Sequence, residues 1–154
     1  MVVYSYDTKI GKITVEETDN CITGIHFEND ELPSNIDTYE TPLIKEAIKQ
    51  IKLYLDGKLK YINVPIKIKG SDFQKLVWNE LTKIPYGETC TYKDIAKKVG
   101  NEKACRAVGN ANSKNNLPII IPCHRVVGTN GKLVGFAGGL DIKEKLIDIE
   151  KKHK

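Results

Sequence analysis

Thr91–Asn112 reads TYKDIAKKVGNEKACRAVGNAN, and the way it is punctuated decides how the chain folds around it. Thr91 offers a hydroxyl to the first N–H groups of a helix, and Gly100 can close that helix in the left-handed conformation. A second helical run is expected over Asn101–Asn112. Two short helices joined by a tight, glycine-containing turn form the pattern of a helix-turn-helix. Ala104, Ala107, Val108 and Ala111 share one face of the second helix at i, i+3, i+4 and i+7. A face this small permits close approach, either to another helix or to a nucleic-acid groove, and these residues alone leave both open.

Upstream, SDFQKLVWNELTKI reads as a helix, with Ser71 and Gln74 suited to a capping box and Phe73, Leu76, Val77 and Leu81 as its apolar stripe. IPYGE ends it in a turn. The extended YINVPIKIKG, where Pro65 prevents helix, separates this region from the N-terminal one. There VVYSY, KITVEE and CITGIHF are short β-rich runs. TPLIKEAIKQIKLYLDGK follows as a helix, with Thr41 as N-cap, Pro42 in the first turn and Gly57 at the end. Downstream, LPIII reads as a buried strand, TNGK as a hairpin-like turn and GFAGG as a flexible loop. The last helix, DIKEKLIDIEKKHK, is assigned a capping box from Asp141 and Glu144 and a buried stripe of Ile142, Leu146 and Ile149. The fold class is α+β: a sheet-and-helix domain over 1–69, then a winged helix-turn-helix-like domain over 70–154.

The net charge of +4 is unevenly spread. Residues 1–69 carry 9 Lys and 11 Asp or Glu, whereas residues 70–154 carry 15 Lys or Arg and 9 Asp or Glu. Any polyanionic partner therefore belongs to the C-terminal half, although a solvated lysine surface would look the same. Among 24 basic residues only Arg106 and Arg125 are arginine, so a planar guanidinium is used at just two places. No stretch is long and apolar enough to span a membrane, and MVVYSYDTKIGK lacks the features of a signal peptide, so a cytoplasmic location is expected. The four cysteines form no C-x-x-C pair, which argues against a structural zinc site or a disulfide scaffold.

The chemistry concentrates in IPCHRVV, Ile121–Val127. A cysteine reacts as its thiolate, which apolar surroundings oppose and a neighbouring base or positive charge favours. In a strand, Cys123 and His124 would point to opposite faces, so direct contact requires the strand to end at Pro122 and turn; otherwise a water must bridge them. Cys123 is then either a buried inert thiol or a nucleophile.

IPCHRVV resembles the active-site signature of the O6-alkylguanine-DNA alkyltransferases, the methylated-DNA–protein-cysteine methyltransferases. PYGETCTYKDIA (Pro85–Ala96), RAVGNA (Arg106–Ala111) and GFAGGL (Gly135–Leu140) resemble further segments of that family, in the same order and spacing. The likeness is specific over about 70–150 and looser over 1–69. It implies a monomeric repair protein without cofactor that binds double-stranded DNA in the minor groove, without sequence preference. The protein flips out an O6-alkylated guanine and takes the alkyl group irreversibly onto its own cysteine.

By the same resemblance, Cys123 is the acceptor, His124 the base that takes its proton through a water, and Glu150 the carboxylate that orients the histidine. Tyr92 is the proton donor to the guanine ring, and Asn115 braces the turn before the active site. Arg106 fills the gap left by the flipped base, with Ala104, Ala107, Ala111 and Tyr92 along the DNA-facing surface. Phe136, Ala137, Gly138 and Val126 belong to the substrate pocket, Phe136 standing where a tyrosine is frequent and Ala137 where some members have serine. Arg125 is structural. Some members bind zinc in the N-terminal domain; Cys21 and His26 match two ligands, but no further pair is near, so no metal is expected and Cys21 is taken as a small buried strand residue. Cys90 and Cys105 are placed in the core. A damage-binding protein without chemistry and a cysteine hydrolase are the competing classes. Cys123 speaks against the first, because such relatives replace the acceptor. The absence of an evident oxyanion loop speaks against the second.

Overall fold

In this computed structural model, residues 1–136 and 138–154 are described. They form two compact units, Met1–Ile68 and Lys69–Lys154. The first unit is built on β1 (Val2–Thr8), β2 (Gly11–Thr18), β3 (Cys21–Phe27) and β4 (Asp37–Thr38), in the sheet order β3-β2-β1-β4. Adjacent pairs are antiparallel except β1 with β4. Asp19 and Asn20, both at positive φ, make the tight β2–β3 turn.

Helix α1 (Pro42–Leu55) packs on this sheet with Ile44, Ala47, Ile48, Ile51 and Leu55 buried. Thr41 caps it by accepting from Ile44 N–H. On the other face of β2, Glu16 is buried against His26 (Nε2 to Oε1, 3.1 Å) and Thr23. Gly24 makes this possible, since a Cβ there would lie 2.7 Å from His26 Nε2. Cys21, expected to be buried, lies half-exposed at the start of β3.

The second unit begins with α2 (Asp72–Leu81), capped by the expected Ser71–Gln74 box. Its buried residues are Val77, Trp78 and Leu81; Leu76, assigned to the stripe, is 53% exposed. Trp78 displaces it because indole Nε1 donates to Ala111 O at 2.9 Å and ties α2 to α4. Helix α3 (Tyr92–Lys98) carries a Thr91–Asp94 capping box, and α4 (Cys105–Ser113) follows a turn through Gly100. That turn lasts longer than expected: Asn101 Oδ1 accepts from Lys103 N–H, and Asn101 O from Ala104 N–H, so the helix starts at Cys105. A two-residue parallel ribbon joins β5 (Cys90–Thr91) to β6 (Val126–Val127).

The strand expected over LPIII is absent. Leu117–Ile121 instead forms a turn closed by Ile121 N–H to Leu117 O at 2.8 Å, with Ile119 at φ 74°. Asn115 holds it, donating to Ile121 O at 2.9 Å and accepting from Leu117 N–H at 2.9 Å. The final helix α5 (Leu140–Lys152) starts at Gly139, without the expected Asp141–Glu144 box. Its buried face is Lys143, Leu146, Ile147 and Glu150, a quarter-turn from the apolar stripe of the sequence.

Candidate active site

Cys123 opens a single 3₁₀ turn, Cys123–Arg125, directly after Pro122. All three side chains are buried, His124 completely. The turn removes the strand alternation that would separate Cys123 from His124. Glu150, 2% exposed on α5, reaches this turn and receives four N–H donors. Oε1 accepts from Arg125 Nε (2.8 Å) and Gly87 N–H (3.0 Å); Oε2 accepts from His124 Nε2 (2.5 Å) and Arg125 Nη2 (3.0 Å). Four donors use all the lone-pair directions of an ionised carboxylate.

Arg125 completes its fork by donating Nη1 to Ile84 O at 2.7 Å and lies over the Tyr86 ring. Gly87 sits at φ 83°, the left-handed geometry that aims its N–H at Glu150. The PYG turn, the Cys123–Arg125 turn and α5 are thereby locked together. Lysine at 125 could not form this fork, which accounts for one of the two arginines.

The electrostatics set the resting protonation. Burial pushes the Cys123 thiol up to about 11, only partly offset by a hydrogen bond from Asn115 and the charge of Lys143. Burial also lowers His124, outweighing the hydrogen bond and charge of Glu150 that raise it. At neutral pH the pair is a thiol and a neutral imidazole. With Nε2–H donated to Glu150, the imidazole carries its basic lone pair on Nδ1.

A cavity of about 580 Å³ opens beside the helix-turn-helix, lined among others by Tyr92, Arg106, Gly109, Thr129 and Val134. Tyr92 is half-buried, and its hydroxyl donates to Val134 O at 3.1 Å. Burial raises its pKa. Arg106 and Ala107 are exposed in the first turn of α4, and Ala104 is half-buried. Ala111 must be withdrawn from the DNA-facing set: at 1% exposure it packs against α2, where the small side chain lets Trp78 reach its carbonyl. Val126 is fully buried in β6. Phe136 and Gly138 are half-buried just before α5, and Ala137 lies outside the described residues. Cys90 and Cys105 are half-exposed, not core, and Cys105 lines the cavity.

Lys143 was missed in the sequence. It is fully buried on α5, donates to Val134 O (2.7 Å) and Gly135 O (3.2 Å), and lies 5.8 Å from the Tyr92 ring centroid. Burial lowers its pKa to about 8, which the charge of a Cys123 thiolate would counter. Its signal was helical phase: Lys143 is seven residues before Glu150, on the same face. Asn112 was missed as well; it is buried and donates to Cys123 O at 3.3 Å.

Residues 72–152 match the DNA binding domain of 6-O-methylguanine DNA methyltransferase, and residues 1–68 its ribonuclease-like domain. A methylated-DNA–protein-cysteine methyltransferase of Methanosarcina acetivorans is 57% identical over 106 residues, which is 69% of this chain and 68% of that protein. The constitutive one of Bacillus subtilis is 41% identical over 152 residues, covering 94% and 92% of the two chains. The crystal structure of Mycobacterium tuberculosis OGT in complex with DNA superimposes with a TM-score of 0.93 at 35% identity, over 99% of this chain and 94% of that one. With both halves matched in order and a relative similar along nearly its whole length, the chain belongs to the 6-O-methylguanine DNA methyltransferase family.

Proposed function

We propose that the protein repairs duplex DNA by moving the alkyl group of O6-alkylguanine irreversibly onto Cys123, one group per molecule. The observation that carries this is the buried Cys123 thiol on the same turn as a buried His124 whose Nε2 is bonded to the buried Glu150 carboxylate. The thiol gives its proton through a water to His124, and Glu150 stabilises the imidazolium formed. Sulfur attacks the alkyl carbon; the S–C bond forms and the bond to O6 breaks. Tyr92 donates its proton to a guanine ring nitrogen, so that the base leaves neutral. The S-alkylcysteine formed is a stable thioether, which ends the reaction after one turnover.

Arg106, exposed at the cavity rim on α4, enters the duplex and holds the space of the flipped base; a planar guanidinium can stack and hydrogen-bond there. Lys143 fixes the loop at Val134–Gly135 that walls the cavity and adds positive charge near the forming thiolate. No helix among the described residues is long and apolar enough to cross a membrane. Four unpaired thiols suit a reducing compartment, which we take to be the cytoplasm.

The test is intact-protein mass spectrometry with peptide mapping, after mixing with duplex DNA that holds one O6-methylguanine. One added methyl group on Cys123, saturating at one per chain, is expected. Bound DNA with no mass change would instead make this a damage-recognition protein.

A further inference from the structure

At Val134 O, side chains from two helices meet. The Tyr92 hydroxyl of α3 donates to it at 3.1 Å, and Lys143 Nζ of α5 donates to it at 2.7 Å. A carbonyl oxygen has two lone pairs, so this one is fully occupied at rest. Lys143 directs another N–H to Gly135 O at 3.2 Å, and its Nζ lies 5.8 Å from the Tyr92 ring centroid. Its side chain is completely buried, a position that a methionine of similar length would fill with no ammonium to desolvate. The bond to Gly135 already ties the loop to α5. The bond to a carbonyl that Tyr92 also serves is surplus to the resting structure.

The reaction removes that surplus. Tyr92 has one O–H, which cannot point at Val134 O and at a guanine ring nitrogen together. To protonate the departing base, the hydroxyl must let go of the carbonyl. Tyr92 and Val134 both line the cavity beside the helix-turn-helix, so a base extruded into it shuts out the water that could replace the hydroxyl. Without a second donor the carbonyl would stand unpaired just as the chemistry begins. We infer that Lys143 is a positioning residue for alkyl transfer: it holds Val134 O while Tyr92 turns its hydroxyl to the base, and so frees the proton donor from the loop. This rests on the proton-donor role of Tyr92 proposed above. No proton leaves Lys143. The step balances: the S–C bond forms, the C–O6 electron pair enters the guanine ring, the Tyr92 proton neutralises it, and the negative phenolate is matched by the proton on His124.

A double-mutant cycle on the full chain tests it, using saturated single-turnover rates on duplex DNA with one O6-methylguanine. Lys143→Met removes the second donor and keeps the length of the side chain. Lys143→Gln, which keeps a neutral donor, is made alongside in case methionine packs poorly, and should show the same coupling in smaller degree; thermal midpoints confirm that each variant is folded. The loss of rate caused by Lys143→Met should be larger by about tenfold in the Tyr92 background than in a Tyr92→Phe background, the scale of one orphaned carbonyl. The phenylalanine protein has no hydroxyl to release, so only the other effects of the lysine remain there. Half-saturating DNA concentration should change less than about twofold, because buried Lys143 does not reach the duplex. Equal losses in both backgrounds would overturn the inference, leaving Lys143 a fastener of the loop or a charge near the thiolate. A Tyr92→Phe protein as fast as the parent would overturn the role of Tyr92, and this inference with it. A parent chain that transfers nothing to Cys123 would instead mark failure of the repair reading itself.

Discussion

Glu150 serves both the fold and the chemistry, and its substitution should separate the two effects. Glu150→Gln keeps the shape but leaves Arg125 buried without its counter-charge, which should lower stability by about 3–5 kcal/mol in denaturant unfolding. The same change removes the support for imidazolium and should slow transfer by about 10²-fold or more. Arg125→Lys should destabilise without so large a loss of rate, because Glu150 would keep its bond to His124. The thiols should also differ in ordinary reactivity. Iodoacetamide at pH 8 should label half-exposed Cys21 and Cys105 well before buried Cys123, an order that peptide mapping would read. Cys123, His124 and Arg125 were legible in the sequence because three reactive types stand side by side. Lys143 and Asn112 were not, because a buried lysine and a buried amide violate the rule that polar positions face water.

The helix-turn-helix was legible from its punctuation, since Thr91 and Gly100 stand where the geometry needs them. The start of α4 was not: the side chain of Asn101 competes for the backbone and delays the helix by a turn. LPIII failed for a different reason. Apolar β-branched composition describes a buried segment whatever its shape, and the Asn115 side chain imposes a turn that composition does not encode. In α5 the stripe was misphased because only apolar residues were allowed on the buried face. At this scale the test falls on α4. Arg106→Ala should impair repair of duplex DNA far more than reaction with free O6-benzylguanine, and equal loss on both substrates would remove Arg106 from base flipping. Exposed Lys93, Lys97, Lys98, Lys103 and Lys114 flank the two helices, so binding should weaken linearly in log–log terms as salt rises.

Across the whole molecule, Cys123 and Lys143 couple stability to pH in opposite directions. The thiol is held near 11 in the fold against about 8.5 in an unfolded chain, and the ammonium near 8 against about 10.4. Between about pH 8.5 and 11 the unfolded state has lost the thiol proton that the native state keeps, so Cys123 makes stability fall as pH rises. Between about pH 8 and 10.4 the unfolded state keeps the lysine proton that the native state has lost, so Lys143 makes stability rise. Relative to the parent, Lys143→Met should lose stability with rising pH across this window. Cys123→Ala, or protein already methylated, should gain it; thermal unfolding at a series of pH values measures both differences. The division of the chain was foreshadowed by the change of charge and the extended segment near Pro65, whereas the meeting of Gly87, His124, Arg125 and Glu150 joins segments too far apart for local patterns to reveal. That meeting has a practical side. The exposed turn Thr129–Gly131 separates the acceptor and its imidazole from Lys143 and Glu150. A chain cut there would place Cys123 and His124 on one piece and Lys143 and Glu150 on the other, so a labelled benzyl group on Cys123 is expected only where the two pieces have reassembled, as a split reporter that records each reunion permanently.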